Sequence, residues 1–582
     1  MIELILSLKH FSEGGKKWFI LNIITAFIGN ALVLVNPFLI GKAVGFIIGK
    51  GQVDFKVVSI YLLIILSCYA VGTALLWFSQ ICSHNYATIV TRNLRNEAFK
   101  TITHTPVSYL DQTSTGDVMA RFSQDIDLVF DAISHFFMYF FQGVTTIIFS
   151  ITFMIYLNIW LTLVVVLMVP LMMLYSNVTK NKRNERFVVL QKLIGDLTGT
   201  AKEYIDEKKL IQAYNFEDKA KAKFDKINEE LTVVGEKAYY AASINNPTYR
   251  LMNNISYALL GLVSIILTIT GQITDIEALT AILTSMIMYA AMFSRPFNDF
   301  SALTANFMAG RAGLRRIDEV LALHVEKEAD EFNFNDRATE GNIKFKNVDF
   351  AYRKDQTLVK NFNLEVKKGQ KVAIVGPTGA GKSTMINLLM RYYDVNSGSI
   401  VLDGKDIRDY NRNALRLSFG LVLQEPWLFN GTIAANLKYG RKEASDELMI
   451  EAAKKANCHD FIMNLKDGYN TKLGDNSNLS VGQRQLLTIA RALIIDPPIL
   501  ILDEATSNID TLMELEIQKT FNQAMKNRTS FIIAHRLKTI IDADIIIAMD
   551  KGNIVEFGTH NELMTNNGFY AKLYLSQFAK EE

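Results

Sequence analysis

Residues 371–384 combine residue types that together bind phosphate, in the order Lys-Val-Ala-Ile-Val-Gly-Pro-Thr-Gly-Ala-Gly-Lys-Ser-Thr. A short apolar run precedes the glycines and an apolar helical pattern follows them, which predicts a strand, a phosphate-binding loop and a helix. Glycines allow backbone N–H groups to turn toward a phosphate, and a helix N-terminus adds partial positive charge. Lys382 is placed to reach the outer phosphates of a nucleotide, and the Ser383 hydroxyl to ligate Mg²⁺. We assign phosphate binding to Gly376, Pro377, Thr378, Gly379, Ala380, Gly381, Lys382, Ser383 and Thr384.

Further polar residues follow predicted strands in the last part of the chain. Asp503 and Glu504 come directly after one apolar run, and His535 comes directly after another. Asp503 is placed to hold Mg²⁺, and Glu504 to orient or deprotonate water. Tyr352 follows the first strand of this region and can stack on adenine. Because ligands bind at the carboxyl ends of parallel strands, the polar groups at these strand ends are predicted to line one site.

The composition divides the chain into parts. Its 582 residues exceed one domain, and 61 Lys+Arg against 59 Asp+Glu leave it almost neutral, which implies no nucleic-acid partner. Mean hydropathy is +0.14, with the apolar excess in residues 1–310. The chain has three cysteines, Cys68 and Cys82 in apolar segments and Cys458 far away, which support neither a disulfide framework nor a metal cluster. We predict a transmembrane domain over 1–322, a charged linker over 323–340 and a nucleotide-binding domain over 341–582.

Six apolar stretches are long enough to cross a bilayer, since about 20 residues span roughly 30 Å of hydrocarbon. An even number places both ends of the chain on one side, and ATP identifies that side as the cytosol. The loops at 49–56, 157–158 and 272–276 are short and are predicted to face outside. Lys16 and Lys17 fit the positive-inside bias. The predicted spans are 18–41, 57–82, 134–156, 159–178, 252–271 and 277–297.

The two long loops, 83–133 and 179–251, have helical periodicity and are predicted to extend the membrane helices into the cytosol. Each must turn back through a short segment, for which the candidates are 105–111 and 213–217. The first of these places a proline at a helix start. Such segments could carry motion between domains, or they could be ordinary helical hairpins with no coupling role.

Ionisable side chains are almost absent from the predicted spans. Lys42 can snorkel to the interface, and Asp275 and Glu277 lie at an outer edge. Because an ion-coupled carrier keeps acidic residues near the midplane, the predicted energy source is not an ion gradient. Aromatic and methionine residues cluster in the third and sixth spans. They suit a pocket for varied hydrophobic molecules, and contact with lipid or with other helices is the alternative explanation.

Taken together, these motifs resemble those of ATP-binding-cassette (ABC) exporter half-transporters over essentially the whole chain. The segment 111–125 is also similar to the first intracellular loop of those exporters. The implied fold is an all-α six-helix transmembrane domain followed by an α/β phosphate-loop nucleotide-binding domain. In the terms of that family, Tyr352 matches the A-loop, 376–384 Walker A, Gln424 the Q-loop, 479–483 the signature, 500–504 Walker B, 507–510 the D-loop and His535 the switch histidine.

The resemblance implies the roles of the site residues. Glu504, His535 and Gln424 are expected to be catalytic, and Ser383, Gln424 and Asp503 to surround Mg²⁺. Nucleotide binding is further expected at Tyr352, Gln424, Asp503 and, in the signature, Ser480, Gly482 and Gln483.

The signature departs from the family pattern, because Val481 stands where the family usually has glycine and the segment before it, 471–478, is short. Stiff valine hinders close approach to a phosphate, so we predict a heterodimer with a second half-transporter over a homodimer. The expected function is ATP-driven export of hydrophobic or amphipathic compounds, as in multidrug efflux, across the cytoplasmic membrane. The expected partners are that second subunit, lipid and a hydrophobic small molecule. The alternatives are a lipid flippase and an ATP-gated channel or regulator.

Overall fold

A computed structural model describes residues 8–47, 53–273, 276–326, 336–352, 358–474, 479–503, 511–534 and 537–577. The chain forms two compact units. The first comprises Met1–Thr103 and Thr115–Leu323, and the second comprises His104–Ser114 and His324–Glu582. A short segment inside the membrane-domain sequence therefore belongs to the unit that contains the nucleotide-binding motifs.

The first unit is built of helices throughout its described residues. Two of them, α2 and α6, have 49 and 48 residues and continue well beyond their apolar portions, as predicted for the long cytosolic loops. At 1.5 Å per residue each is about 70 Å long. The helices of residues 1–323 are α1 (Lys16–Gly45), α2 (Phe55–Thr103), α3 (Val107–Gln112, in the second unit), α4 (Thr115–Ala120), α5 (Ile126–Leu157), α6 (Ile159–Asp206), α7 (Lys208–Ala213), α8 (Glu217–Ser243), α9 (Asn245–Ile269) and α10 (Ile276–Leu321). A 3₁₀ turn at Leu8–Ser12 and a π-helical turn at Arg121–Asp125 complete this part.

The predicted membrane spans all fall on these helices. Five helical stretches are long and apolar enough to cross a membrane, namely Lys16–Gly45, Phe55–Thr103, Thr115–Leu157, Pro247–Ile269 and Glu277–Phe297. The fourth predicted span lies on α6, where the described apolar stretch is Ile159–Leu171. The helical prediction is therefore confirmed for all six.

Polar side chains within the spans join neighbouring helices. The Asn22 amide of α1 donates to the Ser79 carbonyl of α2 at 2.8 Å, and the Asn30 amide donates to the Gln142 carbonyl of α5 at 2.9 Å. The Tyr289 hydroxyl of α10 donates to a carbonyl of α1 at 2.8 Å. Because hydrocarbon cannot satisfy polar groups, such pairing fixes which faces of the helices meet.

The second unit contains an antiparallel sheet of order β2-β1-β4-β5, a mainly parallel sheet of order β12-β11-β3-β10-β9-β6 and a β7-β8 ribbon. In the larger sheet only the edge strand β12 runs antiparallel. The strands are β1 (Ile343–Phe350), β2 (Val359–Val366), β3 (Lys371–Val375), β4 (Ser397–Leu402), β5 (Lys405–Asp406), β6 (Phe419–Val422), β7 (Gly431–Thr432), β8 (Lys472–Leu473), β9 (Ile499–Asp503), β10 (Thr529–Ile533), β11 (Ile545–Asp550) and β12 (Asn553–Gly558).

The parallel strands are apolar on both faces because two hydrophobic cores enclose them. In β3, Val372 and Ile374 pack into the core shared with the antiparallel sheet, and Ala373 and Val375 pack into the core beneath the helices. Since β3, β6, β9 and β10 run in one direction, their carboxyl ends meet at one edge, where the site lies. The helices of this unit after α3 are α11 (Lys382–Leu389), α12 (Arg412–Leu417), α13 (Ile433–Leu437), α14 (Asp446–Lys455), α15 (His459–Met463), α16 (Val481–Ile495), α17 (Thr511–Met525), α18 (Leu537–Ile541), α19 (His560–Thr565) and α20 (Phe569–Gln577).

Candidate nucleotide-binding site

The loop between β3 and α11 has a backbone that requires its glycines. Gly379 and Gly381 have φ angles of 81° and 91°, a left-handed conformation that favours glycine. A Cβ atom at Gly376 would collide with the Met549 carbonyl oxygen of β11. The loop therefore wraps tightly against the sheet, and its helix begins directly after Gly381 with no side chain capping its N-terminus. This leaves backbone N–H groups and the positive end of the helix for an anion.

Lys382, the first residue of α11, folds back over the loop. Its ammonium group donates to the Gly376 carbonyl at 2.7 Å and to the Pro377 carbonyl at 3.2 Å. Partial burial lowers the Lys382 pKa, and the nearby Asp503 carboxylate opposes that change. The amine is thus held at the loop, beside a carboxylate, where it can turn to the outer phosphates.

A pocket of ≈ 430 Å³ opens at this edge of the sheet and brings several predicted residues together. Its lining includes Ser383, Gln424 and Asp503, whose side chains carry a hydroxyl, an amide and a carboxylate. Hydroxyl, amide and carboxylate oxygens are ligands that Mg²⁺ accepts, so these three side chains fit the ion. The full lining is Thr378, Gly379, Ala380, Gly381, Lys382, Ser383, Gln424, Asp503 and Ile533.

Tyr352 lies beside the same helix. Its hydroxyl donates to the Thr384 hydroxyl at 3.2 Å and accepts from the Asn387 amide at 3.0 Å. Tyr352 as a whole remains 39% exposed, which leaves surface on which a base can stack. Two other aromatic rings, Phe350 and Tyr393, pack edge-on against it at centroid distances of 4.9 and 4.8 Å.

The signature residues form the start of α16 and are not among the residues that line this pocket. Ser480 caps the helix, with its hydroxyl accepting from the Gln483 N–H at 3.2 Å and its own N–H donating to the Gln483 side chain at 3.0 Å. Val481 occupies the first helical position and is 37% exposed, while Gly482 is buried. Because Val481 has ordinary helical geometry, its difference from glycine is the added exposed bulk and not the backbone shape.

Two predicted catalytic residues, Glu504 and His535, and the segment 507–510 lie outside the described residues. The structure also brings in residues that the sequence analysis did not single out. The Tyr393 ring contacts Tyr352, the predicted adenine-stacking residue, and the Asn387 amide donates a hydrogen bond to the Tyr352 hydroxyl. The sequence contained a weak signal for Tyr393, an aromatic pair directly after the phosphate-loop helix.

The membrane unit contains a charged pair that corrects the sequence analysis. Arg295 lies inside the sixth span, and its Nε atom is 3.9 Å from the Asp299 carboxylate one turn later. The sequence analysis did not single out Arg295, because the surrounding residues keep the mean hydropathy of this span high. Both residues line a pocket between α1, α5 and α10 that encloses ≈ 130 Å³. Other lining residues are Asn30, Val33, Leu34, Tyr139, Gln142, Gly143, Thr146, Met292 and Pro296.

A phosphate loop on a mainly parallel sheet, preceded by membrane-spanning helices, defines a membrane-bound ATP-binding protein. Residues 19–297 match the family model of the ABC transporter transmembrane region, and residues 359–507 match the family model described as ABC transporter. The chain belongs to the ABC transporter family, as an exporter half-transporter in which both domains are fused. Its ATPase domain binds ATP and couples hydrolysis to transport.

The relatives match this chain along most of their own lengths. The protein YfiC of Bacillus subtilis, an ABC transporter ATP-binding protein, is 36% identical over 94% of this chain and 90% of its own length. A fatty acid ABC transporter of Mycobacterium bovis is 33% identical, over 90% of this chain and 82% of its own. An ATP-dependent lipid A-core flippase of Escherichia coli is 33% identical, over 91% of each. The solved structure of a bacterial Atm1-family ABC exporter with ATP bound matches with a TM-score of 0.77 at 27% identity, over 97% of this chain and 98% of the other.

Proposed function

We propose that this exporter moves an amphipathic, lipid-like compound out of the inner leaflet of the cytoplasmic membrane. The observation that carries the proposal is the polar pocket with Arg295 and Asp299 between apolar helices. From Ile276 to Arg295 the helix rises about 28 Å, nearly the full hydrocarbon thickness of roughly 30 Å. Because the loop before α10 is predicted to face the outside of the cell, Arg295 lies at the level of the headgroups of the inner leaflet. A pocket of ≈ 130 Å³ at this depth suits a polar headgroup, with the apolar part of the compound among the helices.

The relatives support a lipid-like substrate over a broad range of drugs, since they include a fatty acid transporter and lipid A-core flippases. The charged pair supports it as well, because the Arg295 guanidinium, at the level of the inner headgroups, can hold a carboxylate or phosphate headgroup by paired charge-assisted hydrogen bonds. With the nucleotide-binding domain and both termini in the cytosol, the pocket faces the leaflet from which such compounds are taken.

The test is ATPase activity in proteoliposomes, expressed as the ratio of the rate with added compound to the rate without it. Long-chain fatty acids and phospholipids should raise this ratio, and Arg295→Gln should remove most of the increase. Arg250→Gln, which removes an exposed guanidinium outside the pocket, is the control. Stimulation by uncharged hydrophobic drugs but not by lipids would favour multidrug efflux instead.

For ATP hydrolysis we propose Glu504 as the general base, His535 and Gln424 as further catalytic residues, and Ser383, Gln424 and Asp503 as the side chains that hold Mg²⁺. When bound, Mg²⁺ neutralises charge on the phosphates. The support is the fit of the three oxygen-bearing side chains around one pocket and the position of Glu504 directly after Asp503. Loss of nucleotide-dependent Mg²⁺ binding in Asp503→Asn would support the assignment, and unchanged Mg²⁺ affinity would contradict it.

We further propose that the functional unit is a heterodimer. One chain carries one copy of each motif, and membership in the ABC family implies that its phosphate loop becomes competent only when a second subunit's signature closes over the nucleotide. The exposed Val481 side chain stands at the helix start that would face the partner's γ-phosphate. A partner with the glycine-containing signature would complete the site formed by Lys382 and Asp503 of this chain. If the chain expressed alone forms a stable dimer with substrate-stimulated ATPase activity, the homodimer is correct.

A further inference from the structure

The short segment 104–114 is attached to the second unit at both of its ends. Helix α3 begins directly after Pro106, whose φ and ψ angles of −54° and 143° stop any helix from running through it. At the start of the segment, the His104 carbonyl accepts from the Glu326 N–H at 2.9 Å. At its far end, Asp111 contacts the body of the nucleotide-binding domain. The segment is also covalently continuous with the long helix α2 before it and with α4 after it.

The contact at Asp111 is a hydrogen bond from a tyrosine. The Tyr393 hydroxyl donates to the Asp111 carboxylate at 2.7 Å. A hydrogen bond to an ionised acceptor is about twice as strong as one between neutral groups. Partial burial and, secondly, the Asp111 carboxylate raise the pKa of Tyr393, so its hydroxyl remains a donor at physiological pH.

The ring of Tyr393 belongs to a cluster of three aromatic rings. It meets Tyr352 nearly at a right angle, 87°, with centroids 4.8 Å apart, and it meets Phe350 at 72° and 5.8 Å. Phe350 and Tyr352 are also perpendicular, at 83° and 4.9 Å. Edge-to-face pairs of this kind are favourable and prescribe the orientation of each ring.

Tyr352 is thereby held from two sides. Its hydroxyl is bound to Thr384 and Asn387 of α11, and its ring rests against Phe350 and Tyr393. Since hydrogen bonds at the hydroxyl leave the ring free to swing about that point, the perpendicular neighbours decide which way its flat surface faces. Tyr393 is the neighbour that the segment 104–114 can move.

We propose that Tyr393 is a positioning residue that orients Tyr352 for adenine, and that Asp111 holds Tyr393 in that position. The inference rests on adenine stacking by Tyr352, which is part of the proposed nucleotide site. ATP affinity then depends on where segment 104–114 lies. By thermodynamic linkage, bound ATP favours the placement of the segment in which the Asp111–Tyr393 hydrogen bond is made.

The test compares two ligands that share phosphates but not a base. Binding of ATP and of inorganic tripolyphosphate, each with Mg²⁺, is measured on the full-length chain in the assembly in which it is active. In Tyr393→Leu the ATP Kd should rise about 3- to 10-fold, because the edge-to-face contact that orients the Tyr352 ring is lost. The tripolyphosphate Kd should change by less than about twofold, because the phosphate loop is untouched. The control is Tyr392→Phe, since the Tyr392 ring faces Arg416 at 5.3 Å.

Two milder variants separate positioning from general support of the fold. Tyr393→Phe keeps the ring and removes the hydroxyl, and Asp111→Ala removes the acceptor, so each should weaken ATP binding by about two- to fivefold. Because both break the same hydrogen bond, the double variant should be no weaker than either single one. Equal losses of ATP and tripolyphosphate affinity would show that Tyr393 only supports the fold. Unchanged ATP affinity in Tyr393→Leu would overturn the proposal directly, and if Tyr352→Ala also leaves ATP affinity unchanged, the stacking assignment fails with it.

Discussion

Removing the Arg316 guanidinium should destabilise the membrane unit more than removing any comparable surface charge. Arg316 on α10 donates through Nε to the Asp125 carboxylate at 2.7 Å and through a second nitrogen to the other carboxylate oxygen. The Asp125 side chain is only 4% exposed. This forked pair joins α10 to the π-helical turn at Arg121–Asp125 that begins α5. In Arg316→Gln a buried carboxylate loses its cationic partner.

The magnitude follows from burial. Removing the partner of a fully buried charge costs about 3–5 kcal/mol. Because the Arg316 side chain is 45% exposed, water can replace part of the lost interaction, and we expect about 2–3 kcal/mol. At about 2 °C per kcal/mol for a unit of this size, the midpoint of thermal unfolding should fall by roughly 4–6 °C. Arg95 provides the matched control, since its nearest contact to Asp127 is 3.9 Å and both side chains are well exposed. An exposed pair contributes about 0.2–1 kcal/mol, so Arg95→Gln should shift the midpoint by roughly 2 °C or less.

The assay is thermal unfolding of the purified protein in detergent, followed by tryptophan fluorescence or by loss of monodisperse protein. A double variant, Arg316→Gln with Asp125→Asn, should recover a large part of the lost stability, because no buried charge then remains unpaired. The reasoning is refuted if Arg316→Gln costs no more than Arg95→Gln, or if the double variant is as unstable as the single one.

Three further outcomes can be checked. Glu504→Gln should bind ATP but hydrolyse it about 10²- to 10⁴-fold more slowly, as expected for loss of a positioned base, and near-normal turnover measured by phosphate release would contradict that role. Replacing Tyr109 or Tyr214 with alanine should uncouple substrate stimulation from basal ATPase activity, whereas full stimulation and transport in both variants would make 105–111 and 213–217 ordinary turns. Gly376→Ala should abolish ATP binding in an equilibrium binding assay, because the added Cβ collides with a β11 carbonyl. Gly195→Ala, with open space around it, should bind ATP normally, and comparable binding by both variants would contradict the requirement for glycine.

The parts of the fold that depend on neighbouring residues were predicted well. The strand, loop and helix around Lys382 follow from a run of adjacent residues, and the left-handed φ angles at Gly379 and Gly381 are those that glycine permits. The membrane helices follow from hydropathy over about 20 consecutive residues. The turns after Pro106 and at Asn215, which has a φ angle of 51°, also follow from local chemistry.

Other features were missed because an average over neighbours conceals them. Arg295 was overlooked since a single guanidinium hardly changes the mean hydropathy of an apolar stretch, and its role depends on residues of α1 and α5 that face it. What Val481 changes at the signature also needed the structure: the helix start there is normal and the residue is exposed, so its difference from glycine is added bulk.

The sequence by itself determined which segments become membrane helices, strands and the phosphate loop, because these depend on interactions between residues close together along the chain. Only the tertiary structure decided that Asp125 pairs with Arg316, 191 positions away, and that Asp111 accepts from Tyr393, 282 positions away. Each of these contacts depends on how whole helices and sheets pack. The residues next to a carboxylate in the sequence do not reveal whether its side chain is solvated or pairs with a guanidinium or phenol far along the chain. Its partner is determined by the burial and charge complementarity that packing creates.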